Sequence, residues 1–407
     1  MEEPSGPDAR RRPLDPVALR LARTSLGVAI FAVAFGTNVS TPLLLLYQQG
    51  LGLSAWTVTA IFAIYPLGLA PALLLAGPAS DALGRRAIVY PGLLVSALAS
   101  GVFIAGAESL PLLFLARLLL GAGSGLVFVV ASAWMQELAD PHDPLWPSRL
   151  TGLVLYAGFG LGPLVAGAIG EWGPAPLSLP YLVHLGVVGA GLVALRRVPE
   201  TVTADPSRSI RPDLGIPLAA RHEFVAIVVP TALGVFGFPS LAFGLFPVLL
   251  RPAMASIAVF VTGVVGAIFA VAIVGAQAVT ARIGPYRSAP VGLGLGALGC
   301  GVGTVAVVSG LWPLLFVAAM FFGVASGCSA TAGLRLVDLL TDPATRGALI
   351  GSFYAVAYGG MTMPVIVASV AGPAGFGAVL AGLTVLAGAG TLWLHRAVRR
   401  LAPPRPG

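Results

Sequence analysis

Asp81, Arg85 and Arg86 crowd three charges into six residues of the stretch Gly77 to Arg86, which reads Gly-Pro-Ala-Ser-Asp-Ala-Leu-Gly-Arg-Arg. A carboxylate and two guanidinium groups around a helix-breaking glycine, Gly84, can form ion pairs and stabilise helix ends. The stretch ends a run from Thr24 to Ser80 that holds no Asp, Glu or Arg. Arg117 is a second chemical outlier, alone within the apolar run 109–136. A guanidinium there cannot discharge and must find carbonyls, carboxylates or water. It reads either as a functional charge or as a structural pin on backbone carbonyls near Asn38 of the first helix. His142, His184, His222 and His395 are scattered without an i,i+4 pair, and Cys300 and Cys328 lie inside apolar runs. No metal site, catalytic dyad, disulfide framework or cofactor is expected from them.

The elements holding these residues are set by composition. With 57% hydrophobic residues, 10% charged and a mean hydropathy of +0.94, the chain is too poor in charge for a soluble surface. All its basic side chains are Arg, grouped in islands between apolar runs, so the net charge of +7 reflects membrane orientation and no nucleic-acid partner is expected. The runs predict an all-α membrane protein with twelve transmembrane helices, counting about 20 residues per span. Placing both termini in the cytoplasm puts nearly every Arg on that side, with Arg251 outside and Arg117 within a span.

Polar residues from Pro199 onward divide the chain into a six-helix bundle over 1–198, a cytoplasmic linker over 199–221 and a second six-helix bundle over 222–407. Internal similarity supports that division. Gly121, Ser124, Gly125 and Ala139-Asp140-Pro141 recur as Gly323, Ser326, Gly327 and Thr341-Asp342-Pro343, and Tyr156 and Gly162 recur as Tyr354 and Gly360. The bundles therefore read as two parallel six-helix repeats.

On these motifs the chain resembles the major facilitator superfamily, in particular its proton-linked drug efflux branch. Gly77, Asp81, Gly84, Arg85 and Arg86 match the family's loop between helices two and three, with Ala82 where a basic residue is usual. The related turn Gln277 to Arg287 keeps Arg282 and Gly284 but has Ala281 in the acidic position. Arg117, followed by Gly121 and Gly123, resembles the fourth-helix motif that the family associates with proton coupling. Gly158, Gly160, Gly162 and Pro163 resemble the fifth-helix motif of its exporters. Their glycines are expected to let helix five approach a helix of the other bundle, eight or ten. Pro199-Glu200-Thr201 resembles a frequent ending of helix six and says little about substrate.

The resemblance implies a secondary active transporter working by alternating access, not an enzyme. Its expected partners are a small, largely apolar substrate, the lipid bilayer of the cell inner membrane, and protons; a monomer is expected. Asn38, Arg117, Tyr156, Phe236, Tyr354 and Tyr358 are the candidate substrate-binding residues. Gly77, Asp81, Gly84, Arg85, Arg86, Gly158, Gly162 and Pro163 are the candidates for conformational coupling. Helix one offers Asn38 but no carboxylate, which keeps a uniporter or importer of a neutral metabolite as the alternative.

Overall fold

The computed structural model describes residues 15–401, apart from 140–142, 144–145, 206, 212–214, 342–345 and 373–374. The Asp-Pro turns at 140–141 and 342–343 and the basic start at Arg10 to Arg12 thus lie outside the described residues. Those described form helices and connections, with no strand among them. Among the described residues, ten stretches are long and apolar enough to cross a membrane. One of these, Arg221–Thr280, runs to 60 residues and is divided near Ala255, whose φ is 49°; an eleventh apolar helix, Leu179–Leu195, has 17 residues.

In chain order the helical segments are α1 (Pro16–Leu51), α2 (Ala55–Leu83), α3 (Arg86–Ala105), α4 (Leu110–Glu137), α5 (Trp146–Trp172) and α6 (Leu179–Leu195). After the polar segment come α7 (221–254), α8 (Ala258–Ile283), α9 (Pro285–Ser309), α10 (Leu314–Leu339), α11 (Arg346–Val370) and α12 (Gly375–Leu401). Prolines sit inside many of them, including Pro42, Pro71, Pro91, Pro163 and Pro290. Neighbouring helices and side chains can take up the carbonyls that each proline leaves unbonded.

Packing follows small residues, because lipid supplies no hydrophobic drive between helices and close backbone approach must hold them instead. α1 packs on α5 and α6, α2 and α3 pack on α4, α9 packs on α10 and α12, and α7 packs on α10 and α11. The N-terminal and C-terminal sets of helices meet through α5 against α8 and α2 against α11. A large apolar cluster runs through both sets and includes Leu43, Phe62, Phe243 and Phe322. A second cluster, with Leu26, Val89, Trp134 and Leu195, is confined to the N-terminal set, at the end of the molecule that carries Arg85.

Candidate functional site

Arg117 is built into α4 against α1 and α2. Its Nη1 donates to the Thr37 carbonyl at 3.1 Å and to Ser40 Oγ at 3.2 Å, and its Nη2 donates to the Phe62 carbonyl at 3.4 Å. The third partner has a local cause. Pro66 has no N–H to offer the carbonyl four residues back, so α2 breaks at Ile64 and the Phe62 carbonyl is left for the guanidinium. The rings of Phe62 and Tyr65 lie 5.0 Å and 5.2 Å from the Arg117 guanidinium carbon. Arg117 is 1% exposed, no carboxylate among the described residues pairs with it, and its Nε has no partner. Asn38 sits half-buried between Thr37 and Ser40 and takes no part in these bonds.

Aromatic side chains gather where the two sets face each other. Phe236 of α7 stacks on Tyr358 of α11 at 4.4 Å, and Tyr358 stacks on Tyr354 at 6.1 Å. Tyr358 lies within electrostatic reach of Tyr65, Tyr156 and Tyr354. Tyr156 of α5 accepts a hydrogen bond at 2.9 Å from Gln277 Nε2 of α8, across the sets. The structure thus brings Tyr156, Phe236, Tyr354 and Tyr358 together. It adds Tyr65 and Gln277, which were not among the candidates from sequence; Pro66 beside Tyr65 was the available signal.

At the Arg85 end, the turn between α2 and α3 is tied to its own set. Arg85 pairs with Asp81 at 2.6 Å and with Glu137 at 2.6 Å. Burial disfavours its charge, but the bonds it donates to Glu137 and Asp81 outweigh this and raise its pKa above the ordinary arginine value. Glu200 accepts from the backbone N–H groups of Arg85 at 3.0 Å and Arg86 at 2.9 Å, so it caps the positive end of α3 from a distant segment. Gly84 makes room for it: φ there is +98°, and a Cβ would stand 3.1 Å from Glu200 Oε2. Arg86 donates to the Val198 carbonyl, and Thr201 bonds Glu137. The ion pair of Asp81 is with Arg85, an Arg of its own turn. A Cβ at Gly77 would be in ordinary contact with Val129 at 3.7 Å, so that glycine is not demanded by packing.

The opposite end is held by bonds between the sets. Trp56 Nε1 donates to Ser369 Oγ at 2.9 Å, and Arg251 Nη2 donates to Gln49 Oε1 at 2.5 Å. Glu171, in the last turn of α5, accepts from the N–H groups of Val259 at 2.9 Å and Phe260 at 3.2 Å. It therefore caps α8 with a charge from the other set.

Helix α5 does pack on α8 of the other set, but Gly158 and Gly162 are not the residues that meet it. A Cβ on Gly162 would stand 2.0 Å from the Phe35 carbonyl oxygen, and one on Gly158 would stand 2.6 Å from Ala34 Cβ, so this face lies on α1 of its own set. The face toward α8 carries Gly160, Pro163 and Gly167: a Cβ on Gly160 would be 2.9 Å from Ala270 Cβ, and one on Gly263 would be 2.5 Å from the Pro163 carbonyl. Residues two apart on a helix point about 200° apart, so both faces of α5 are glycine-lined.

The family model of the Major Facilitator Superfamily matches residues 26–302, more than half of the chain. The chain belongs to the Major Facilitator Superfamily. Among curated superfamily relatives, Multidrug resistance protein MdtL of Shewanella oneidensis is 38% identical over 90 residues, which is 22% of each chain. MdtL of Escherichia coli is 29% identical over 182 residues, covering 43% of this chain and 44% of the relative. The chain is matched over less than half the length of these relatives. In fold, it resembles peptide transporter POT (TM-score 0.76, 15% identity, 93% and 94% of the two chains). The nucleoside transporter NupG (0.70, 13%, 94% and 100%) and the human organic anion transporter MFSD10 (0.63, 18%, 94% and 100%) share that fold.

Proposed function

We propose that this superfamily transporter exports a small, largely apolar compound by alternating access, through twelve spans arranged as two parallel six-helix repeats. The observation that carries the reading is the aromatic group of Tyr65, Tyr156, Phe236, Tyr354 and Tyr358, drawn from both sets and placed between two differently built ends. Ring faces bind apolar molecules with loose specificity, which suits the partial likeness to MdtL. The Arg85 end is assigned to the cytoplasm by the Arg islands, and the Gln49 end to the outside. With the outer end bonded across the sets, the molecule is read as facing inward.

Proton coupling belongs to the proposal. Every acidic residue among those described lies between helices or within three residues of a helix end, so no carboxylate stands beside the aromatic group. That observation favours uniport as the second reading. Reconstitution in liposomes with an internal pH dye tests both: substrate-driven proton movement from a compound panel supports the coupled exporter. Counterflow with no pH change overturns the coupling and leaves the uniporter. The candidates Asp81, Gly84, Arg85 and Arg86 act in this reading by holding α2, α3, α4 and the segment after α6 as one body during the cycle.

A further inference from the structure

Helices α9 and α12 leave a furrow on the lipid-facing flank of the C-terminal set. Small side chains open it, since Gly294, Ala297 and Gly301 of α9 face Thr391 and Thr384 of α12. A cavity of about 1020 Å³ occupies one end and a second of about 440 Å³ continues it, and Leu298 lines both. Along α9 the distance from Arg287 to Val305 is roughly 27 Å. A bilayer's hydrocarbon is about 30 Å thick, so the furrow is longer than one leaflet.

The two ends of the furrow differ in chemistry. The larger cavity is lined by Arg287, His395 and Arg399 together with Tyr286. All three basic side chains are exposed, and among the described residues none is in an ion pair. Glu223 is close enough to Tyr286 to act on it electrostatically but does not line the cavity. The smaller cavity has an entirely apolar surface and is lined by Val302, Val305 and Leu314 beyond Leu298. A cationic mouth on an apolar slot is complementary to an amphiphile with a negative head and a long hydrocarbon tail.

We propose that this furrow binds an anionic phospholipid of the surrounding bilayer. The phosphate sits between Arg287 and Arg399 with His395 alongside, and one acyl chain lies along α9 past Leu298. None of these residues belongs to the aromatic group or to either end that joins the helices, so the site is independent of the transport reading.

The test uses the full chain, reconstituted in vesicles of three parts phosphatidylcholine to one part phosphatidylglycerol, extracted gently and weighed intact by native mass spectrometry. Two cations near a membrane surface predict about 30-fold enrichment of retained phosphatidylglycerol over the vesicle ratio. R287Q/R399Q should return the ratio to that of the vesicle while the protein keeps its thermal midpoint. Leu298→Trp fills the slot from an exposed position and should reduce retention of the same lipid with the mouth intact. Equal retention of both lipids overturns the proposal. So does enrichment that survives Leu298→Trp and, where the double variant folds, the loss of both Arg.

Discussion

Glu171 offers a direct perturbation of the balance between two access states. Its carboxylate holds the N–H groups of Val259 and Phe260 across the sets, at 2.9 Å and 3.2 Å, and loses both when the outer ends part. A charge at a half-buried helix N-terminus contributes about 1 kcal/mol. Glu171→Gln keeps an acceptor oxygen but removes that charge, so the outward-open population should rise about fivefold. Glu171→Ala removes both bonds as well; at about 2 kcal/mol the rise should be about 30-fold. Spin labels at Gly50 and Ser256, exposed at this end in opposite sets, allow the shift to be read as a second, longer distance in pulsed dipolar spectroscopy. An unchanged distance distribution in the Ala variant would refute the idea that this cap biases the cycle.

Arg117→Lys keeps the charge but not the planar fork that reaches Thr37, Ser40 and Phe62, and should lower stability by about 1.5–3 kcal/mol, seen as a lower thermal midpoint. A wild-type midpoint with altered transport would assign Arg117 to the cycle instead. Glu200→Gln should destabilise the N-terminal set by about 1 kcal/mol through the lost cap on α3, and an unaltered midpoint would contradict that role. Gly162→Ala should cost about 1–3 kcal/mol or more and reduce folded protein, because its methyl meets the Phe35 backbone. Gly160→Val should spare folding more and slow transport, since Ala270 lies in the other set; equal effects in both assays would sink the distinction. Finally, single Cys probes at Ser207 and Gly310 should label from opposite membrane sides, and labelling of both by an impermeant reagent from outside would overturn the twelve-span topology.

How much was legible in the sequence depends on how local the cause was. Long charge-free runs already required helices, because backbone groups in lipid must bond within their own segment. Arg117 announced its need for carbonyl partners near Asn38, and the structure supplies the Thr37 carbonyl one residue before it, joined by the Ser40 hydroxyl two residues after. Gly84 was marked by the charged turn around it, and its positive φ follows.

Other roles depended on distant partners and could not be read locally. Glu200, Glu137 and Glu171 look alike as acids near span ends, yet Glu200 caps α3, Glu137 pairs with Arg85, and Glu171 joins α5 to α8 across the sets. The glycine pattern of α5 is visible in the chain, but whether Gly160 or Gly162 faces the other set is decided by the helix's rotation about its axis. Sequence spacing determines which residues share a stripe; only packing against α1 on one side and α8 on the other selects the neighbour each stripe meets.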